Sequence, residues 1–142
     1  MLKFLMAVDG SDHSKNAIDA VARLARSSAQ LEVLLLNVRS EPSLYGELAP
    51  AAFQELDAAV RAEQARVLKE AADHARAGGL SVAGTLDPSG MVASEIVRAA
   101  TEARVDQIVL GTRGMGAMGG LFLGSVAQRV VHQAHVPVLL VK

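Results

Sequence analysis

The chain has 142 residues, 51% of them hydrophobic, and a formal net charge of −1. This length and composition predict one folded domain over residues 1–142 with its own core, and they exclude a disordered chain. The near-neutral charge gives no reason to expect nucleic acid or an anionic membrane as a partner, and the absence of cysteine excludes disulfides, thiolate metal sites and thiol catalysis.

The N-terminal segment "MLKFLMAVDGSDHS" contains an apolar run of five residues after Lys3. A run of this length is too short for a secretory signal and far too short for a membrane span. We therefore expect a soluble, cytoplasmic protein.

Short apolar runs alternate along the chain with segments in which apolar residues recur at helical spacing. The first run, "LKFLMAV", is typical of a strand buried on both faces, and Ser11 follows it as the cap of a helix. This alternation predicts an α/β fold: a five-stranded parallel sheet with helices on both faces and right-handed crossovers. In chain order, strands are expected over 2–8, 31–38, 80–86, 106–111 and 136–141, and helices after Ser11, over about 50–77, after the turn at 87–90 and over about 125–133.

The long second helix carries an apolar stripe that we expect to face the sheet. Gly78 and Gly79 follow the stripe and end the helix. The stripe consists of Phe53, Leu56, Val60, Val67, Ala71 and Ala75.

Parallel α/β sheets bind ligands beyond the carboxyl ends of their strands, where the strand order reverses. Three segments lie at such ends: "VDGS" after the first strand, "NVRS" after the second, and residues 111–125 after the fourth. The last of these, "GTRGMGAMGGLFLGS", holds six of the 12 glycines in the chain. Glycine at this density indicates a left-handed backbone conformation or a close approach of another group to the backbone.

The glycine-rich segment does not contain a Walker A motif. Gly114, Gly116 and Gly119 match the dinucleotide-binding fingerprint, but that fingerprint belongs after a first strand. It also needs an acidic residue about 20 positions later, whereas no Asp or Glu follows Gly119. We therefore reject the dinucleotide interpretation.

A different spacing in this segment fits a phosphate site better. Gly111 and Gly114 are followed by nine residues and then by Gly124-Ser125, which opens a helix. Free backbone N–H groups at that helix start would favour a phosphate, and Ser125 and Arg113 would add donors. For so short a motif, a flexible surface loop is the alternative.

Three stretches of the chain carry a resemblance to a known family: "AVDGSDHSKNAI", "LLLNV" and "DQIVLGTRGMGAMGGLFLGSVAQRVVHQAHVPVLLVK". Together they make the full length similar to the universal stress protein family. The pattern G-2x-G-9x-G-[ST] of its ATP-binding subgroup is matched at Gly111, Gly114, Gly124 and Ser125. The resemblance implies a Rossmann-like sheet of order 3-2-1-4-5, a homodimer, and ATP, with Mg²⁺, as the ligand.

The resemblance also implies which residues surround the nucleotide. The end of the first strand would line the adenosine, and the backbone of Val38 would meet the adenine. Residues within 111–117 and 125–127 would surround the ribose and phosphates. The implied nucleotide-binding residues are Ala7, Val8, Asp9, Val38, Gly111, Thr112, Arg113, Gly114, Met115, Gly116, Gly124, Ser125 and Val126.

Polar residues outside the glycine-rich segment have competing interpretations. Asp9 would hold a ribose hydroxyl or a phosphate-bound Mg²⁺, or it is a turn residue that bonds its own backbone. His132 and His135 have no third metal ligand nearby in the sequence, so we expect no metal held by the protein alone. His13 and His74 are expected to face solvent. Met115 and Met118 are either adaptable ligand contacts or apolar residues packed on their own loop.

Three functional classes remain at this stage. The first is an ATP-binding regulatory module in stress response, whose loop conformation is set by nucleotide and read by an unknown regulatory partner. The second is a slow ATP hydrolase; no general base stands near the expected γ-phosphate, so we assign no catalytic residue. The third is a dimeric interaction protein that binds no nucleotide.

The last strand, 136–141, is expected to form a homodimer. Pro137 lacks an N–H group, and proline within sheets is confined mostly to edge strands. "VPVLLV" carries no charge before Lys142, and proteins normally cover an exposed apolar edge. The same strand of a second copy, paired about a two-fold axis, would cover it.

Overall fold

Strands and helices alternate throughout the residues that the structure, a computed structural model, describes: 1–27, 30–40, 47–113 and 123–142. In chain order they are β1 (Leu2–Ala7), α1 (Asp12–Ser27), β2 (Leu31–Leu36), α2 (Pro50–Ala77), β3 (Ser81–Leu86), α3 (Val92–Glu102), β4 (Gln107–Gly111), α4 (Ser125–Gln133) and β5 (Val138–Val141). The five strands are parallel and form one sheet in the order β3-β2-β1-β4-β5. The predicted α/β class and strand order are therefore confirmed.

The central strand β1 is buried on both faces of the sheet, as its continuous apolar sequence predicts. Because successive side chains of a strand point to opposite faces, Phe4 and Met6 pack with α1 and α2, whereas Leu5 packs with α3 and α4. Leu5 and Met6 are completely buried. The helices thus form two layers, and β1 lies between them at the middle of the sheet.

The N-terminal half of α2 does not pack on the sheet, so the predicted stripe is only half right. Val67, Ala71 and Ala75 are buried, but Phe53 and Leu56 remain 37% and 39% exposed. The reason is length: the helix has 28 residues, about 42 Å, whereas a strand of six residues spans about 20 Å. The helix therefore extends past the carboxyl ends of the strands.

The outward face of α2 is charged along its C-terminal half. Arg66 donates to Glu63 and Glu70 at 2.6–2.8 Å, and Lys69 pairs with Asp73 at 2.6 Å. The hydrogen bond from Arg66 holds the pKa of the Glu63 carboxyl below its ordinary value. These exposed pairs at helical spacing belong to a solvated face. None of the helices in the described ranges combines the length and apolar character that crossing a membrane requires.

β1 and β2 end one and two residues earlier than their apolar runs predict. The last backbone–backbone hydrogen bond between the ends of β1 and β2 runs from the Val8 N–H to the Leu36 carbonyl, at 2.8 Å. Beyond it, the backbone N–H groups of Asn37 and Arg39 still bond to the β3 side, and neither residue is paired with a residue of β1 in the sheet. The sheet therefore opens between the end of β1 and the end of β2.

Candidate functional site

A cavity of about 540 Å³ lies at the carboxyl ends of β1, β2 and β4. It lies beside β1, where the strand order reverses: β2 and β3 lie on one side of β1, and β4 and β5 lie on the other. Gly114, Met115, Gly116 and Met118 fall outside the described residues. The other ten predicted nucleotide-binding residues all line the cavity: Ala7, Val8, Asp9, Val38, Gly111, Thr112, Arg113, Gly124, Ser125 and Val126.

The first turn of α4 points free hydrogen-bond donors at the cavity. Gly124 is its N-cap residue, and no side chain caps the helix. Within the described part of the chain, the N–H groups of Ser125, Val126 and Ala127 have no hydrogen-bond partner, and all three residues line the cavity. The first turn also holds no acidic residue. Free N–H groups and the positive end of the helix dipole make this end of the cavity suited to an anion.

Gly124 is needed there because another part of the backbone approaches it closely. Its N–H donates to the Thr112 carbonyl at 2.8 Å, and a Cβ on Gly124 would lie 3.1 Å from the same oxygen. Its φ of −62° is open to any residue. The close contact fixes the start of α4 against the residues that follow β4.

Gly111 is also required by close approach, and the group that approaches is His13. A Cβ on Gly111 would lie 2.8 Å from the His13 Cβ and 2.9 Å from the His13 carbonyl carbon. The prediction that His13 faces solvent is therefore wrong. Its side chain is half-buried, and its Nδ1 is buried with no hydrogen-bond partner in the described ranges. The first turn of α1 reaches the end of β4 because a glycine leaves it room.

The other end of the cavity presents a backbone N–H and C=O at Val38 that are unpaired among the described residues. The N–H groups of its neighbours Asn37 and Arg39 donate to the carbonyls of Leu86 and Pro88, at 3.0 and 2.9 Å. Val38 itself makes no hydrogen bond to any residue that the structure describes. Backbone groups alternate in direction along an extended chain, so the N–H and C=O of Val38 face away from β3, toward the opening beside β1.

Asp9 takes the turn role that its sequence position suggested, and it also lines the cavity. Its Oδ1 accepts a hydrogen bond from the Ser11 N–H at 2.9 Å, which is the turn role. Ser11 Oγ in turn accepts from the Ser14 N–H at 3.2 Å, so the predicted cap of α1 is confirmed. Asp9 also lines the cavity, where it is the only carboxylate among the described residues.

The remaining histidines lie away from the cavity. His132 and His135 are exposed, and no group of three potential metal ligands occurs among the described residues. His74 is exposed as predicted, and its Nε2 lies 2.8 Å from Asp19 Oδ1.

Sequence reasoning missed several residues that complete the cavity wall. Asn37 and Ser40 belong to the "NVRS" segment, which sequence analysis placed at a strand end, so their location in the cavity wall could have been predicted. Ser14 lies in the first turn of α1, and nothing in its sequence position distinguishes it from other helical residues. The apolar wall comes from α3, which the sequence did not link to the site: Val92 and Ile96, together with Leu36, Leu110 and Ala127.

Sequence analysis also missed Gln64, although the position of this residue in α2 indicates its role. It is 6% exposed and lies within α2, and Val60 and Val67 flank it at helical spacing. A polar residue inside an apolar stripe indicates a buried hydrogen-bonding group. Its Nε2 donates to the carbonyls of Asn37 and Pro88, at 2.6 and 3.2 Å.

Comparison with known proteins agrees with this architecture over the whole chain. Residues 1–142 match the profile of the universal stress protein family. The "Universal stress protein in QAH/OAS sulfhydrylase 3'region" of Thermus aquaticus is 39% identical over 139 residues, which cover 97% of this chain and 96% of that protein. Universal stress protein YxiE of Bacillus subtilis is 36% identical over 147 residues, covering 99% and 98%.

Solved structures show the same fold. The structure of hypothetical protein MJ0577 has a TM-score of 0.83 at 26% identity, covering 99% of this chain and 95% of that one. The universal stress protein from Archaeoglobus fulgidus, solved in complex with dAMP, has a TM-score of 0.67 at 25% identity, covering 100% and 98%.

Proposed function

The chain belongs to the universal stress protein family, and from that premise we propose that it binds ATP, with Mg²⁺, in the cavity beside β1. In this proposal the protein is a cytoplasmic regulatory module of stress response. Nucleotide occupancy sets the conformation of the glycine-rich segment, and a partner protein recognises that conformation. The dAMP complex of the A. fulgidus relative supports an adenine nucleotide as the ligand class.

One observation carries the proposal: within the described part of the chain, the cavity has unpaired N–H donors at one end and an unpaired N–H and C=O at the other. Three free N–H groups of α4 lie at one end, and the backbone N–H and C=O of Val38 lie at the other. Leu36, Val92 and Ile96 line the wall with apolar surface. A volume of about 540 Å³ suits a nucleotide, because small-molecule sites occupy about 300–1,000 Å³.

Each part of the nucleotide then has a partner. The N–H groups at the start of α4, the Ser125 hydroxyl and the Arg113 guanidinium hold the phosphates, together with Gly114, Met115 and Gly116. Asp9 and the end of β1 meet the ribose. The cavity also suits Mg²⁺, which in nucleotide sites binds one or two protein carboxylates together with the phosphates and keeps several waters. Asp9 is the carboxylate that would take this role.

Calorimetric titration with ATP, ADP and GTP tests the proposal. We expect ATP to bind in preference to GTP, because the N–H and C=O of Val38 complement the N1 acceptor and amino donor of adenine, whereas guanine presents the reverse pattern. Equal affinity for the two triphosphates, or no binding of either, would contradict it.

The protein should turn over ATP at a negligible rate without a partner. Among the described residues of the cavity wall, Asp9 is the one group able to accept a proton, and it is already engaged with the Ser11 N–H. Phosphoryl transfer needs a positioned nucleophile as well as metal and charge neutralisation. We expect a rate far below about 1 s⁻¹, the low end for working enzymes, in a phosphate-release assay. A steady rate of that order would instead favour the ATP hydrolase.

A further inference from the structure

Helix α2 holds the two residues on either side of Val38 without lining the cavity itself. The Gln64 amide donates to the Asn37 carbonyl at 2.6 Å and to the Pro88 carbonyl at 3.2 Å. Both hydrogens of the amide are thereby used on the loops that follow β2 and β3. Gln64 is one of three buried polar residues in the described part of the chain, together with Ser11, which caps α1, and Ser14, whose N–H bonds to that cap.

The second contact lies seven residues earlier on the same face of α2. Asp57 Oδ1 accepts a hydrogen bond from the Arg39 guanidinium at 2.6 Å. The Arg39 side chain is 13% exposed, so this ion pair is largely removed from water. Residues seven apart lie two turns apart on one helical face, and α2 therefore reaches both Asn37 and Arg39.

Asn37 extends the same network to β1. Its Nδ2 donates to the Val8 carbonyl at 2.7 Å. A chain of amide hydrogen bonds thus runs from Gln64 through Asn37 to Val8, next to Asp9. Val38 lies between the two residues that α2 holds. The N–H groups of those residues, Asn37 and Arg39, are also hydrogen-bonded to the β3 side.

We propose that Gln64 and Asp57 are positioning residues that set the base selectivity of the nucleotide site. This rests on the proposed ATP site, and neither residue touches the base. The backbone N–H and C=O of Val38 distinguish adenine from guanine only while both keep a fixed direction. Gln64 holds the Asn37 carbonyl, which shares a peptide group with the Val38 N–H, and Asp57 anchors the Arg39 side chain. Helix α2 thereby restricts rotation of the backbone on both sides of Val38.

The test compares Gln64→Met with Gln54→Met. Methionine keeps the length and approximate volume of glutamine but cannot donate, and Gln54 is an exposed glutamine of the same helix. We expect Gln64→Met to lower the ratio of the GTP to the ATP dissociation constant by about fivefold or more, the size expected for one lost hydrogen bond. Amide hydrogen exchange at Asn37 and Arg39, whose N–H groups bond to the β3 side, should also accelerate in the nucleotide-free protein. Gln54→Met should change neither quantity.

Variants of Asp57 test the same inference if the Gln64→Met protein does not fold. Asp57→Ala should reduce the same ratio, and Asp57→Asn, which still offers an oxygen to Arg39, should restore most of it. A lower melting temperature with an unchanged ratio, or equal weakening of ATP and GTP, would show a purely structural role and overturn this inference alone. An unmodified protein that does not prefer ATP would overturn the proposed function, and this inference with it.

Discussion

Replacing Gly124 by valine should weaken ATP binding by about ten- to a hundred-fold while the protein remains folded. The added Cβ would lie 3.1 Å from the Thr112 carbonyl oxygen, so the start of α4 must move away from the residues that follow β4. The free N–H groups of its first turn would move with it. A hydrogen bond to a charged group is worth about 1.5–3 kcal/mol, and about 1.4 kcal/mol corresponds to tenfold in affinity. Calorimetry with ATP measures the loss.

Gly84→Val is the matched control for this variant. Gly84 lies on β3, where a Cβ would meet the Leu34 Cδ1 at an ordinary 3.6 Å, and valine suits a strand. Ser125→Ala should have a smaller effect, about 0.5–1.5 kcal/mol, because it removes one hydroxyl and leaves the backbone in place. Unchanged ATP affinity in Gly124→Val would show that the phosphates do not lie at the start of α4.

The sheet order could be predicted from the sequence because apolar pattern and chain order restrict it strongly. Five apolar runs separated by helical segments permit few parallel topologies, and the family resemblance selects one of them. The cavity followed from the same reasoning, since strand ends of a parallel sheet meet at one edge. Asp9, Val38 and Gly111 are far apart in the chain and lie together for this reason.

Other features depend on lengths and distances that a local pattern does not contain. The exposure of Phe53 and Leu56 follows from a helix that is longer than the sheet, and periodicity alone does not give the point at which the sheet ends. The contact of His13 with Gly111 depends on how closely α1 approaches β4. The glycine was noticed in the sequence, but the group that approaches it could not be identified there. In the same way, the sequence shows that Gln64 lies within the apolar stripe, but it does not show that the carbonyls of Asn37 and Pro88 accept its hydrogen bonds.

The substitution Leu140→Lys should convert a homodimer into a monomer or cause precipitation. β5 forms one edge of the sheet, as the prediction from Pro137 requires. All four of its residues stay partly exposed within one chain. Val138 and Leu140 pack toward α3 and α4, and Leu139 and Val141 toward α1 and α2, so a partner strand would cover both rows. A lysine in either row would introduce a charge into that contact.

Light scattering at micromolar concentration decides whether this edge pairs with a second copy. The unmodified protein should have twice the mass of the 14.8 kDa chain, and Leu140→Lys should show the chain mass or aggregate. Leu56→Lys is the matched control, because Leu56 is 39% exposed on α2, a helix that packs on β2 and β3 at the other side of the sheet. It should leave the dimer intact. A monomer mass for the unmodified protein would mean that the apolar edge is protected within one chain, since an open strand of this composition offers its backbone to any neighbour.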